Sequence, residues 1–123
     1  MKKIIPGMLF MFMTVCAAAQ TGFREPVSEL DKNQKTDHTL ALAGDYNAMR
    51  NIAFSYASTG GGGAKSKIAG CAWYLLIPPT HKPKFNVGDT GNIQVYCNKL
   101  SLSEFDTAYE YAFRTLAPSI KTK

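Results

Sequence analysis

A run of four glycines, Gly60 to Gly63, separates two stretches whose apolar residues recur at helical spacing. Four consecutive glycines lose too much backbone entropy to continue a helix. The chain on either side must therefore form separate elements joined by a short link. Before the glycines, Tyr46, Met49, Ile52, Ala53 and Tyr56 make one apolar face of a helix over about 46–58, with Asp45 as its N-cap. After them, 65–77 reads as a second helix. Ile68, Cys71, Ala72, Leu75 and Leu76 are apolar, but so are Trp73, Tyr74 and Ile77. A helix apolar nearly all round is buried by neighbours on more than one side. Pro78 and Pro79 are read as its end.

The flanks supply candidates for those neighbours. A short helix is predicted over about 36–43, closed by Gly44. Asp89 is read as the cap of a helix over about 90–99, with Ile93, Tyr96, Cys97 and Leu100 as its core stripe. Ser101-x-x-Glu104 is a capping-box signature for a last helix over 102–116. Its stripe is Leu102, Phe105, Ala108, Tyr109, Ala112 and Leu116, and Pro118 is read as its stop. Alternating apolar runs are absent, so strand signals are poor. The expected fold is all-α: antiparallel helix hairpins with short connections. The expected organisation is a leader over 1–19, a partly ordered lead-in over 20–35 with one helical turn near Pro26–Leu30, a single helical domain over 36–118 and a basic tail over 119–123.

The leader reading rests on three features. Lys2 and Lys3 give a positive start, Ile4 to Val15 is apolar, and Ala17 to Ala19 end in a small-x-small pattern. Cleavage before Gln20 would place the protein in the periplasm or outside the cell. Two other readings stand beside it. One is an uncleaved anchor, weakened by Pro6 and Gly7. The other is lipidation of Cys16, although Val15 sits where a small residue is wanted. Contact with a membrane is expected only under one of these two. Cleavage would leave twelve basic and nine acidic residues, a mild net charge of +3 that does not argue for nucleic acid. It would also leave two cysteines, Cys71 and Cys97, which in an exported chain suggest one disulfide. The alternative is two separate buried thiols. Neither cysteine belongs to a Cys-x-x-Cys pair, so redox catalysis and zinc are not indicated.

The segment from Asp45 to Tyr74 resembles one Sel-one-like repeat, the tetratricopeptide-related helix-pair unit. The first helix of that pattern reads roughly Ala-x-x-Asn-Leu-Gly-x-x-Tyr, and here Ala48, Asn51, Ile52, Ala53 and Tyr56 stand at those places. The second reads roughly Ala-x-x-Trp-Tyr; here Ala69-Gly70-Cys71-Ala72-Trp73-Tyr74 follows it with one residue more. The likeness covers about 30 of the 123 residues. It implies a helix pair needing flanking helices to cover it, with the C-terminal helices as a second hairpin or a capping pair. It also implies protein–protein binding, and no catalytic residue.

Signals for chemistry are weak. Gly60-Gly-Gly-Gly-Ala-Lys65-Ser66 lacks glycine directly before the lysine and follows a helix, so it is not a phosphate loop. His38 and His81, the only histidines, fit no catalytic motif, and a zinc site from both plus an acid is only conceivable. Glu104, Asp106 and Glu110 read as a solvated face. No catalytic residue, metal ligand or cofactor is assigned. Two binding features remain. Asn47, Arg50, Asn51 and Phe54 form a stripe opposite the apolar face of the first repeat helix, the candidate partner-binding surface. Against that, Asn51 is a pattern residue and Phe54 could pack under the preceding helix. Lys65, Lys67, His81, Lys82 and Lys84 fall into two basic patches at the two ends of the 65–77 helix. The expected function is a non-enzymatic exported interaction module of a bacterial envelope, binding another protein. An immunity-type inhibitor of a secreted toxin and, further off, a small cell-wall-active enzyme are the alternatives.

Overall fold

The computed structural model describes residues 22–59 and 61–121. The leader, its cleavage site, Cys16 and the last two residues of the tail lie outside them. The fold is all-α, and no strand occurs among the described residues. A strap from Gly22 to Leu30 with one 3-10 turn (Val27–Glu29) precedes five helices: α1 (Lys32–Leu42), α2 (Tyr46–Thr59), α3 (Ala64–Thr80), α4 (Val87–Cys97) and α5 (Leu102–Glu110). The last runs on through a π-helical segment (Tyr111–Leu116) into a final turn (Ala117–Ser119).

The α2–α3 hairpin is the centre of the molecule. The two helices come closest at Gly70, where a Cβ would lie 2.6 Å from both the Cβ and the backbone nitrogen of Ala57. Any side chain there would push the helices apart. α3 also packs against α4, α5 and the π-helical segment, while α1 packs on α2. This explains why α3 is apolar nearly all round: Cys71, Ala72, Trp73, Tyr74, Leu76 and Ile77 are all buried. Cys71 and Cys97 are at disulfide-bonding distance, with Cα atoms 5.0 Å apart, and tie α3 to α4. Closing that loop stabilises the fold by about 3.5 kcal/mol through the entropy removed from the unfolded chain.

Several boundaries differ from the sequence reading, each for a local reason. α1 begins at Lys32 rather than near Thr36, because Asp31 and Gln34 form a reciprocal capping box (2.8 and 2.9 Å). α3 continues through Pro78 and Pro79. Their missing N–H groups leave only the carbonyls of Tyr74 and Leu75 without i+4 donors. The Thr80 hydroxyl and the His81 N–H then close the turn on Leu76 and Ile77. α4 is capped by Asn86, not Asp89; Asp89 is the third residue of that helix and is buried. Pro118 does not stop the last helix but sits at the start of its final turn, where a missing N–H costs little.

The stripe assigned to the last helix is also partly wrong. Ala108, Ala112 and Leu116 are buried, but Leu102 is 85% exposed and Tyr109 52% exposed. At about 100° per residue, Leu102 lies roughly 120° round the helix from Ala108 and Tyr109 roughly 100°. Small alanines, which allow close approach to α3, decide the buried face. Beyond this helix Ile120 is buried, and the Lys121 N–H bonds the Leu42 carbonyl at 3.0 Å. The start of the tail is thus docked against the end of α1.

Candidate functional site

Asn47, Arg50, Asn51 and Phe54 stand at i, i+3, i+4 and i+7 on α2, so a helix of this phase presents them as one row. With Tyr74 of α3 and Asn92 of α4 they line a single groove of about 320 Å³. The opposite face of α2, carrying Met49, Ile52, Ala53 and Tyr56, is buried. That burial fixes the row outward. Asp45 caps the helix by accepting the Ala48 N–H at 2.8 Å.

The groove has a charged anchor beneath it. Asp89 is 0% exposed, a costly position for a carboxylate unless it is paired. Its Oδ1 lies 3.0 Å from Arg50 Nε, and its Oδ2 accepts from the Tyr46 hydroxyl at 2.6 Å and from the Asn86 N–H at 3.2 Å. Burial, then the bond to Asp89, raises the affinity of the Tyr46 hydroxyl for its proton. The Arg50 guanidinium also stands 5.5 Å from the centre of the Tyr46 ring. Arg50, 39% exposed, is therefore held by Asp89 while facing the groove. One carboxylate thus ties the first turn of α4 to the first two turns of α2.

The far end is aromatic. Phe54 is 51% exposed and sets its edge against Tyr96 of α4, centroids 6.2 Å apart, rather than packing under α1. Tyr96 in turn stacks on Tyr74 with centroids 5.5 Å apart and rings nearly parallel. Burial is the main reason that the Tyr74 hydroxyl has its pKa pushed up to about 12. The groove therefore offers one exposed ring, three asparagine side chains and one oriented guanidinium. Such a set can bind through hydrogen bonds, ring contacts and one fixed positive charge.

A second polar cluster was not visible in the sequence. Glu25, on the strap, reaches a point where four helical segments meet. Its side chain is 5% exposed. Oε1 accepts from the Tyr111 hydroxyl at 2.5 Å, and Oε2 from Trp73 Nε1 at 3.1 Å, with His38 Nε2 at 2.8 Å. The buried Tyr56 hydroxyl lies in the same field, its pKa raised by burial and then by Glu25. Burial pushes the Glu25 pKa up, but the bonds from His38, Tyr111 and Trp73 outweigh it and hold it below its ordinary value. A carboxylate so held keeps its charge and is closed to solvent. It fastens the strap to α1, α3 and the last helix. The only hint in the sequence was an acid between two apolar residues, Phe23 and Val27, in a stretch without periodicity.

The remaining residues fall apart as sites. His38 joins the Glu25 cluster, while the His81 ring leans on Tyr46 at 5.4 Å. Among the described residues no group of three histidines, cysteines or acids could hold a metal ion. Lys65 and Lys67 open α3, and Lys82 and Lys84 follow its end, all exposed. Asp106 is exposed, and the exposed Glu110 pairs with Arg114 at 3.1 Å. The glycine run turns on Gly63 with φ +61°, and the Gly62 N–H bonds the buried Ser66 hydroxyl at 2.9 Å. No protein-family model, curated protein or solved structure matches the chain.

Proposed function

We propose that this protein is an exported, non-enzymatic interaction module of the bacterial envelope. It would be built on a Sel-one-like helix pair over 45–74, flanked by α1, α4 and the last helix, and would hold a partner protein in the α2 groove. The observation that carries this reading is the groove itself. Four residues at one helical phase line one depression, with an exposed ring at one end and an arginine held by a buried aspartate at the other. Exposed aromatic and oriented arginine side chains are the groups that dominate protein interfaces. The Cys71–Cys97 pair is consistent with an oxidising compartment. Among the described residues no helix is long and apolar enough to cross a membrane. An immunity-type inhibitor of a secreted toxin would be one such binder.

The test is a variant pair in a purified complex with whatever partner co-purifies. Asn51→Ala and Phe54→Ala should each weaken binding about tenfold to a hundredfold while leaving thermal stability unchanged. Undiminished binding in the double variant would remove the groove from the interface.

The enzyme alternative has one observation in its favour. A cavity of about 450 Å³ is lined by Phe23, Tyr111, Asp106, Glu110 and Arg114, among others. Its two carboxylates stand one turn apart on a single helix rather than across a cleft, which is a poor arrangement for glycoside hydrolysis. Asp106→Asn with Glu110→Gln should therefore leave any wall-degrading activity of the preparation unchanged.

A further inference from the structure

The α2 groove does not end at Asn47. That residue also lines a second cavity, about 310 Å³, at the N-terminal end of α2, walled by Tyr46, His81, Lys84 and Lys121. The two depressions thus share a residue and lie along one side of α2. At the second cavity two lysines stand against one carboxylate, a net positive charge. Asp45 also borders the second cavity, but its carboxylate is engaged as the cap of Ala48, and Asp89 is engaged by Arg50, Tyr46 and Asn86. The lysines have no such carboxylate partner among the described residues. Lys84 Nζ stands 5.9 Å from the centre of the Tyr46 ring, and Lys121 is exposed.

This cationic end is built rather than incidental. Gly44 has φ +99°, and a Cβ there would lie 2.2 Å from the Lys121 carbonyl oxygen. Only glycine lets the tail cross at that point. Buried Ile120 and the Lys121–Leu42 hydrogen bond hold the tail in place. On the other wall, His81 leans on Tyr46, which Asp89 fixes.

We propose that the groove takes an extended acidic peptide segment of the partner. Carboxylates would lie at Lys84 and Lys121, the peptide main chain along Asn47, Asn51 and Asn92, and an apolar side chain against Phe54. This rests on the α2 groove being the partner-binding surface and adds the chemistry of what it binds. Charge complementarity chooses the acid. The asparagines choose a peptide, because side-chain amides carry both the donor and the acceptor that a main chain needs. A lipid headgroup would use the lysines but leave the amides and the ring without a role.

The test uses the purified oxidised protein and amide-resolved NMR titration with three probes. These are the peptide acetyl-Glu-Glu-Phe-Glu-Glu-amide, its counterpart with Gln for every Glu, and phosphatidylglycerol vesicles. The acidic peptide is expected to shift Asn47, His81, Lys84, Lys121 and Phe54 together. Affinity should fall about tenfold in Lys84→Glu/Lys121→Glu and on raising salt from about 0.05 to about 0.5 M. Both lysines are exposed, so the variant keeps its fold, and Lys84→Gln/Lys121→Gln should give an intermediate loss. The proposal is overturned if the Gln peptide binds equally well, if the acidic peptide ignores the lysine variants or does not bind, or if vesicles bind through these lysines and the peptide does not. If a partner still depends on Asn51 and Phe54 while the acidic peptide fails, the groove stands and only its acid preference falls.

Discussion

Glu25 shows how one side chain can give a role to a segment that otherwise has none. Trp73 and Tyr111 donate to it and His38 Nε2 lies 2.8 Å away, so removing its carboxylate strands both donors at once. Glu25→Ala should cost about 3–5 kcal/mol in chemical denaturation, the range for breaking a buried charge from its partners. Its pKa lies below the ordinary glutamate value in the folded protein, so its contribution is complete above roughly pH 4.3 and is lost as pH falls through the folded value. Glu25→Gln should therefore flatten stability against pH on that acid side, and an unchanged acid slope would count against the cluster. Residue-scale legibility was uneven. Asn47, Arg50, Asn51 and Phe54 were readable because helical phase alone brings them together. Asp89 reads as a cap, but Asn86 three residues earlier accepts the Gly88 and Asp89 N–H groups, starts the helix there and makes Asp89 the other half of its capping box. Glu25 was illegible because its partners lie 13 to 86 positions away, at His38 and Tyr111, and no local pattern encodes such meetings.

Among the elements, α2 and the start of α5 were legible to within a residue or so, since both carry a strong cap and a clear apolar period. α1 was not, because its apolar content is low and its start is written in the Asp31–Gln34 box rather than in a stripe. α3 and the last helix both run past prolines that read as stops in the sequence. In the last turn, and again at Pro118, proline removes few bonds that a helix needs. The π-helical segment Tyr111–Leu116 shifts the helix phase by one residue per turn, and no sequence period anticipates it. The α3–α4 connection makes its own prediction. Reducing Cys71–Cys97, or replacing both cysteines by alanine, removes roughly 3.5 kcal/mol. That should lower the melting temperature by about 15–25 °C in calorimetry, whereas a fall of only a degree or two would mean that the helices hold together without the bridge.

At the scale of the whole molecule, buried charge serves to join elements. The two buried carboxylates each fasten one element to its neighbours: Glu25 the strap, Asp89 the start of α4. Polar groups face outward together along the α2 groove and its cationic end. The all-α class and the hairpin at its centre followed from the glycine break and the two apolar periods. The contributions of the strap and the tail did not, because both act through contacts to distant helices. The most direct test of the partner-binding reading is photo-cross-linking in living cells from a benzoyl-phenylalanine placed at Asn51, with Lys35 on the exposed face of α1 as the control. The reading requires one discrete protein adduct from Asn51 and none of that mass from Lys35. The same adduct from both positions, or from Lys35 alone, would contradict it.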